Sequence, residues 1–182
     1  GIPYYALSME EEFGRLIDRF AEDYTLGRTP NPCMLCNRWF KFGHVLSFAE
    51  KVGATKVASG HYARRTRIGE RWTLARPDDA GKDQSYVLAV LEQHQLERVL
   101  LPLGELKKSE VREQARERGL HRVAGKSDSQ EICFVPGDYR DLLRERLSAA
   151  TPALQPGEVQ DTEGKVLGSH AGTAGFTIGQ RK

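Results

Sequence analysis

A helix-period apolar stripe that leads within a few residues into a short buried strand is the feature that most limits how this chain can fold. Phe42, Val45, Leu46 and Ala49 fall at i, i+3, i+4 and i+7, the spacing that lays one helix face on a core. Residues 56–59 then read as a buried strand that ends in Gly60-His61-Tyr62. Upstream, residues 2–7 read as another buried strand. Ser8 with Glu11 predicts a capping box for a helix whose inner face is Phe13, Leu16, Ile17 and Phe20. Strand, helix, helix, strand is the order of an α/β layer with a parallel sheet, and such sheets hold ligands in loops at the carboxyl ends of their strands.

The rest of the chain divides by turn chemistry. Residues 63–68 and 71–75 predict a small hairpin, followed by a loop over 77–84 and an apolar helix over 86–91. A helix over 109–118 stops at Gly119, and another over 139–147 carries Tyr139, Leu142, Leu143 and Leu147 on one face. From Thr151 onward Pro, Gly and Thr alternate with the short runs EVQD, KVLG and FTIG, the opening strands of a β-rich unit. The expected division is therefore 1–150 and 151–182.

Composition narrows the function classes. No apolar run approaches the ~20 residues that cross a bilayer, so membrane roles drop out and the chain reads as a cytoplasmic globular protein. The net charge of +2 permits a nucleic-acid partner without requiring one. Three cysteines argue against a disulfide scaffold and favour metal or redox chemistry.

The loops carry that chemistry. The segment TLGRTPNP over 25–32 cannot be regular, because two prolines and a glycine remove donors and fix backbone angles, and it reads as a rigid exposed platform. Cys36 follows near a helix start, flanked by Arg38 and Lys41, surroundings that favour a thiolate nucleophile; the alternative is a small packed residue. Cys33-x-x-Cys36 can be a zinc half-site, a redox pair or part of an iron-sulfur site, with His44 or His61 and Cys133 completing a Cys₃His set. Gly60 permits close backbone approach to an adenine ring or a phosphate. Lys82-Asp83-Gln84 can contact a phosphate backbone and a base edge, or be a solvated loop.

In order along the chain, GRTPNPCMLCN, ASGHYA, KDQSY, KKSEVREQARERGL, KSDSQEICF and FTIGQRK resemble the tRNA-specific 2-thiouridylases of the bacterial and mitochondrial type. The resemblance implies a Rossmann-like PP-loop α/β domain of the adenine nucleotide alpha hydrolase type, followed by the start of a β-rich tRNA-binding domain. It implies adenylation of the wobble uridine C2 oxygen by ATP with Mg²⁺, then replacement of that oxygen by persulfide sulfur from a cysteine desulfurase or relay protein. Carried over by motif, Cys133 receives the persulfide and Cys36 is the nucleophile, the two closing a disulfide as sulfur leaves. Asn31, Pro32 and Cys33 border the target base, Gly60 touches the nucleotide, and His61, Lys82, Asp83 and Gln84 contact tRNA.

Two departures follow. Cys33 stands where many members have aspartate, so Cys33, Cys36 and Cys133 are alternative ligands for a [4Fe-4S] cluster. The SGGxDS phosphate loop of the family is not among these residues, and FTIGQRK leads on in the family to a β-barrel, so the chain reads as an internal fragment. A module that grips tRNA without modifying it is the remaining alternative.

Overall fold

The computed structural model describes residues 2–128 and 132–180, which form two compact units, one of residues 1–32 with 131–182 and one of residues 33–130. Ser129, Gln130 and Glu131 of the KSDSQEICF motif, and Arg181 and Lys182 of FTIGQRK, lie outside the described residues. Among the described residues no helix is long and apolar enough to cross a membrane.

The unit of residues 33–130 is built on one nearly continuous helical run. Helix α2 (Pro32–Cys36) passes into a π-helical segment (Asn37–His44) and then into α3 (Val45–Lys51). Phe42, Leu46 and Ala49 are buried, as their spacing requires, and Phe40 joins them. A π turn widens the helix and loosens its carbonyl ladder. Here the buried Gln95 side chain closes the gap, its amide donating to the carbonyls of Phe42 at 2.7 Å and Arg38 at 3.3 Å.

Strand β1 (Val57–Ala58) follows, and its partner is β4 (Val99–Leu100), paired in parallel with Val57 opposite Val99 and Ala58 opposite Leu100. The hairpin forms where alternation places it, β2 (Arg64–Ile68) antiparallel to β3 (Arg71–Ala75). Beyond it come a 3₁₀ turn (Ala80–Lys82), α4 (Ser85–Leu88) and α5 (Gln93–Arg98). Helix α6 (Lys108–Glu117) ends ahead of Gly119, whose φ of +74° is the left-handed stop expected there, and α7 (His121–Ala124) follows. The core of this unit is Phe42, Leu46, Ala63, Val87, Leu88, Leu91, Leu96 and Val99.

The other unit packs α1 (Glu10–Thr25) with α8 (Tyr139–Arg146) around Phe20, Ala21, Tyr24, Val135 and Leu143. Asp138 caps α8, its carboxylate accepting from the Arg140 amide at 2.9 Å. The β-rich stretch supplies a hairpin of β5 (Gly157–Gln160) and β6 (Val166–His170), while the FTIG run is not a strand.

Three local expectations are corrected. Residues 2–7 are not a buried strand: Ile2 is 96% and Tyr4 88% exposed, and among the described residues no strand pairs with them to satisfy their backbone. Helix α1 begins at Glu10 with Met9 as its N-cap and no side-chain cap, so Ser8 and Glu11 make no capping box. The Cys133 segment, which Ile132 and Phe134 bracket as on a partly exposed strand ending in a loop, is instead a turn, closed by the Val135 amide donating to the Ile132 carbonyl at 2.9 Å.

Candidate functional site

In the unit of residues 33–130 a cleft of about 510 Å³ opens at the carboxyl end of β1. It gathers Gly60, Lys82, Asp83 and Gln84, four residues singled out from the sequence, beside Tyr62, Lys108, Arg112 and Asp128, which were not.

Gly60 lies two residues past β1, and the Ser59 amide between them extends the strand by donating to the Leu100 carbonyl at 3.0 Å. A Cβ at Gly60 would meet only Leu103 Cδ1, at 3.9 Å, so the backbone here is open to close approach. Gln84 is tied to the same strand exit twice: its amide N–H donates to the Tyr62 carbonyl, and its Oε1 accepts from the Tyr62 amide, each at 2.9 Å. Asp83 accepts from the Ser85 amide at 2.9 Å and pairs with Arg76 at 3.4 Å. The hydrogen bonds from Ser85 hold its carboxyl below the ordinary range, and Arg76 adds to this. The 77–84 loop is fixed from below by Gly104, whose carbonyl accepts from the Asp78 amide at 2.9 Å and which abuts the Ala63 carbonyl so closely that no Cβ fits.

The charge in the cleft converges on one carboxylate. Asp128 receives Lys82 Nζ at 2.7 Å, Lys108 Nζ at 3.2 Å and an Arg112 guanidinium nitrogen at 3.4 Å. Hydrogen bonds from Lys82 and then Lys108 push its carboxyl down to about 2, and Asp128 in turn raises the Lys82 ammonium. Three cations on one carboxylate leave the cluster with net positive charge. Tyr62, 5% exposed, lies under the Lys108 ammonium, 5.4 Å from its ring centre. Its hydroxyl is buried without a hydrogen-bond partner among the described residues.

His61 is placed differently from its neighbours. It is buried, its Nδ1 lies 2.6 Å from Ser59 Oγ, and its ring packs against Phe42. Burial, with a smaller contribution from the Lys41 charge, lowers it to about 4, so at neutral pH it offers a hydrogen bond and no charge.

The PNPCMLC segment turns from loop to helix at Pro32, which is buried at the first position of α2, as suits a residue lacking an N–H. Asn31, just before it, is exposed. Cys33 is exposed in the first turn, and Cys36, three residues on and therefore on the same face, is half-buried. Cys36 is the last residue of α2 and leads into the π segment, so it sits a turn inside the helical run instead of at its start.

Cys133 is exposed in its turn in the other unit, where Phe134 anchors that turn by edge-on contacts to Phe13 at 5.7 Å and Phe20 at 5.4 Å. No disulfide joins any of the cysteines, so the bond implied between Cys36 and Cys133 is not present in this structure. Among the described residues of either unit, no three or more His, Cys, Asp and Glu side chains are gathered where they would hold a metal ion.

The cleft, edged with glycine and cations, lies past the carboxyl end of a parallel strand, where α/β folds hold their ligands. Residues 1–137 match the family model described as the tRNA methyl transferase HUP domain, and residues 143–182 the model described as the tRNA methyl transferase PRC-barrel domain. The chain belongs to this family, which is that of the tRNA-specific 2-thiouridylases. It is 49% identical over its whole length to the tRNA-specific 2-thiouridylase MnmA of Leptospira interrogans, covering 48% of that protein. It is 52% identical, again over its whole length, to the protein of that name from Moorella thermoacetica, covering 51% of it. The chain thus spans about half the length of the curated relatives it matches.

Proposed function

We propose that this chain is part of an enzyme that converts the wobble uridine of tRNA to 2-thiouridine, spending ATP to activate the C2 oxygen and a persulfide to replace it. The observation that carries this reading is the single cleft that gathers Gly60, Lys82, Asp83 and Gln84 at the carboxyl end of β1. A nucleotide suits what is present, since Gly60 offers unobstructed backbone and Lys82 a cation beside it. Lys82 and the remaining amide donors of Gln84 suit an RNA backbone and a base edge.

In the first step the C2 oxygen of the uridine attacks the α-phosphorus of ATP, and pyrophosphate leaves; Mg²⁺ accompanies the nucleotide. The outer sulfur of a persulfide on Cys133, supplied by a cysteine desulfurase or relay protein, then attacks C2, and AMP departs with the former C2 oxygen. The Cys36 thiolate attacks the inner sulfur on Cys133, and the S–S bond to the base breaks. The product leaves as the thiocarbonyl, and Cys36 and Cys133 are oxidised to a transient disulfide that a thiol reductant resets. Asn31, Pro32 and Cys33 border the target base, the rigid Pro-Asn-Pro segment presenting it to Cys36. On this reading residues 1–150 belong to the catalytic domain and 151–182 open the tRNA-binding one.

The family description speaks of methyl transfer and the relatives' names of thiolation. The exposed thiols at Cys33 and Cys133 favour sulfur. The test is nucleoside mass spectrometry of tRNA incubated with the full-length protein, ATP and a persulfide donor. The proposal expects 2-thiouridine with one AMP released per sulfur incorporated; methylated uridine, or sulfur incorporated without ATP, would reject it.

A further inference from the structure

The best-built feature of the cleft that the proposed chemistry leaves unused is on α6. Lys108 and Arg112 lie one turn apart on that helix and point their charges at the same carboxylate as Lys82. Single exposed ion pairs of this kind add little stability. A carboxylate that draws in three cations at once does something else, which is to hold their remaining donors in a fixed array. Lys82 and Lys108 each keep N–H donors beyond the one on Asp128, and Arg112, which also donates to the Lys126 carbonyl at 3.1 Å, keeps others. The Tyr62 hydroxyl, buried with no hydrogen-bond partner among the described residues, adds a further donor. A buried polar group left in that state calls for an explanation, and a bound ligand is one.

We infer that Lys108, Arg112 and Tyr62 form, with Lys82, a phosphate-binding site, in which Asp128 holds the place that a phosphate group takes when ligand arrives. The inference rests on the tRNA and ATP reading above, and either could supply the phosphate: the RNA backbone, or the nucleotide bound near Gly60. A dianionic or bridging phosphate matches the cluster better than a carboxylate, because it presents several acceptor oxygens to the cations and the phenol together.

Binding by the full-length protein separates the outcomes, with one arm reading tRNA over a salt series and the other ATP. Lys108→Ala with Arg112→Ala should weaken the phosphate-bearing ligand about tenfold. If the source is the RNA backbone, the log–log salt slope becomes shallower by about 1.5, roughly 0.7–0.9 for each cation removed. If the source is the nucleotide, ATP affinity falls and the tRNA slope is unchanged. Asp128→Asn keeps all three cations and removes the competing carboxylate, so it should tighten the same ligand. A cluster that merely tethers the 126–128 segment predicts instead that both variants weaken binding together, and that result, or no change in either arm, overturns the inference. Thermal melting of each variant, with Lys108→Gln alone as the milder version, separates loss of the site from loss of the fold. Wild-type protein that binds neither tRNA nor ATP would reject the functional reading itself.

Discussion

The Gln95 side-chain amide donates to the Phe42 carbonyl at 2.7 Å, joining the first turn of α5 to the π-helical segment that follows Cys36. The same amide reaches the Arg38 carbonyl at 3.3 Å, and its oxygen accepts from the Glu92 amide at 3.0 Å. One buried side chain therefore satisfies backbone groups on two elements, and it does so where the helical ladder is loosened.

Replacing Gln95 by Leu keeps the bulk and removes every one of these bonds. Each buried group left unpaired costs roughly 1–3 kcal/mol, so a loss of about 2–4 kcal/mol is expected. Urea denaturation with the slope held common between variants measures it, and a loss below about 1 kcal/mol would show that the π segment does not depend on this bridge.

His61 sets a pH window. Its ring is lowered to about 4 in the folded chain, while an unfolded histidine titrates near 6.5. Between those values the unfolded state binds more protons than the folded one, so stability is fully present above about pH 6.5 and falls as pH drops toward about 4. The urea midpoint should decline between about pH 7 and pH 5 in the wild type, and His61→Asn should flatten that decline. Equal slopes for the two proteins would contradict the buried, neutral imidazole.

Phe134 connects core packing to Cys133. Its ring meets Phe13 and Phe20 edge-on, and Cys133 precedes it in the same turn. Phe134→Ala should cost about 2–4 kcal/mol from the lost ring and the space left behind. It should also raise the reactivity of Cys133 toward a thiol reagent, read by mass spectrometry of labelled peptides. An unchanged Cys133 labelling rate would mean that the turn holds its shape without this anchor.

Local signals were legible where local chemistry decides the outcome. The β2–β3 hairpin follows from alternation around a short turn at Gly69 and Glu70, α6 from its stop at Gly119, and α8 from its apolar face. Residues 2–7 failed because an apolar run becomes a strand only when another strand pairs with it. Helix α5 and β4 gave no periodic signal, since six and two residues are too short for one. In the site, Gly60 and Lys82-Asp83-Gln84 were visible as loop residues. Tyr62, Lys108, Arg112 and Asp128 were not: they converge only when α6 and the 126–128 segment fold over the end of β1, although KKSEVREQARERGL and KSDSQEICF already contained three of them. The place of Cys36, a turn inside the helical run, was likewise invisible, because the boundary is set by how Pro32 packs.

The central claim is that Cys36 and Cys133 share one sulfur-transfer cycle, and single-turnover thiolation of tRNA measures it most directly. Full-length protein is loaded with persulfide, freed of donor and given ATP and tRNA. The account predicts one 2-thiouridine per protein in the wild type, with a Cys36–Cys133 disulfide found in the spent enzyme by peptide mapping. Cys133→Ala should form no persulfide and no 2-thiouridine, while Cys36→Ala should load persulfide normally and trap tRNA as a mixed disulfide on Cys133. Wild-type levels of 2-thiouridine from either variant would contradict it.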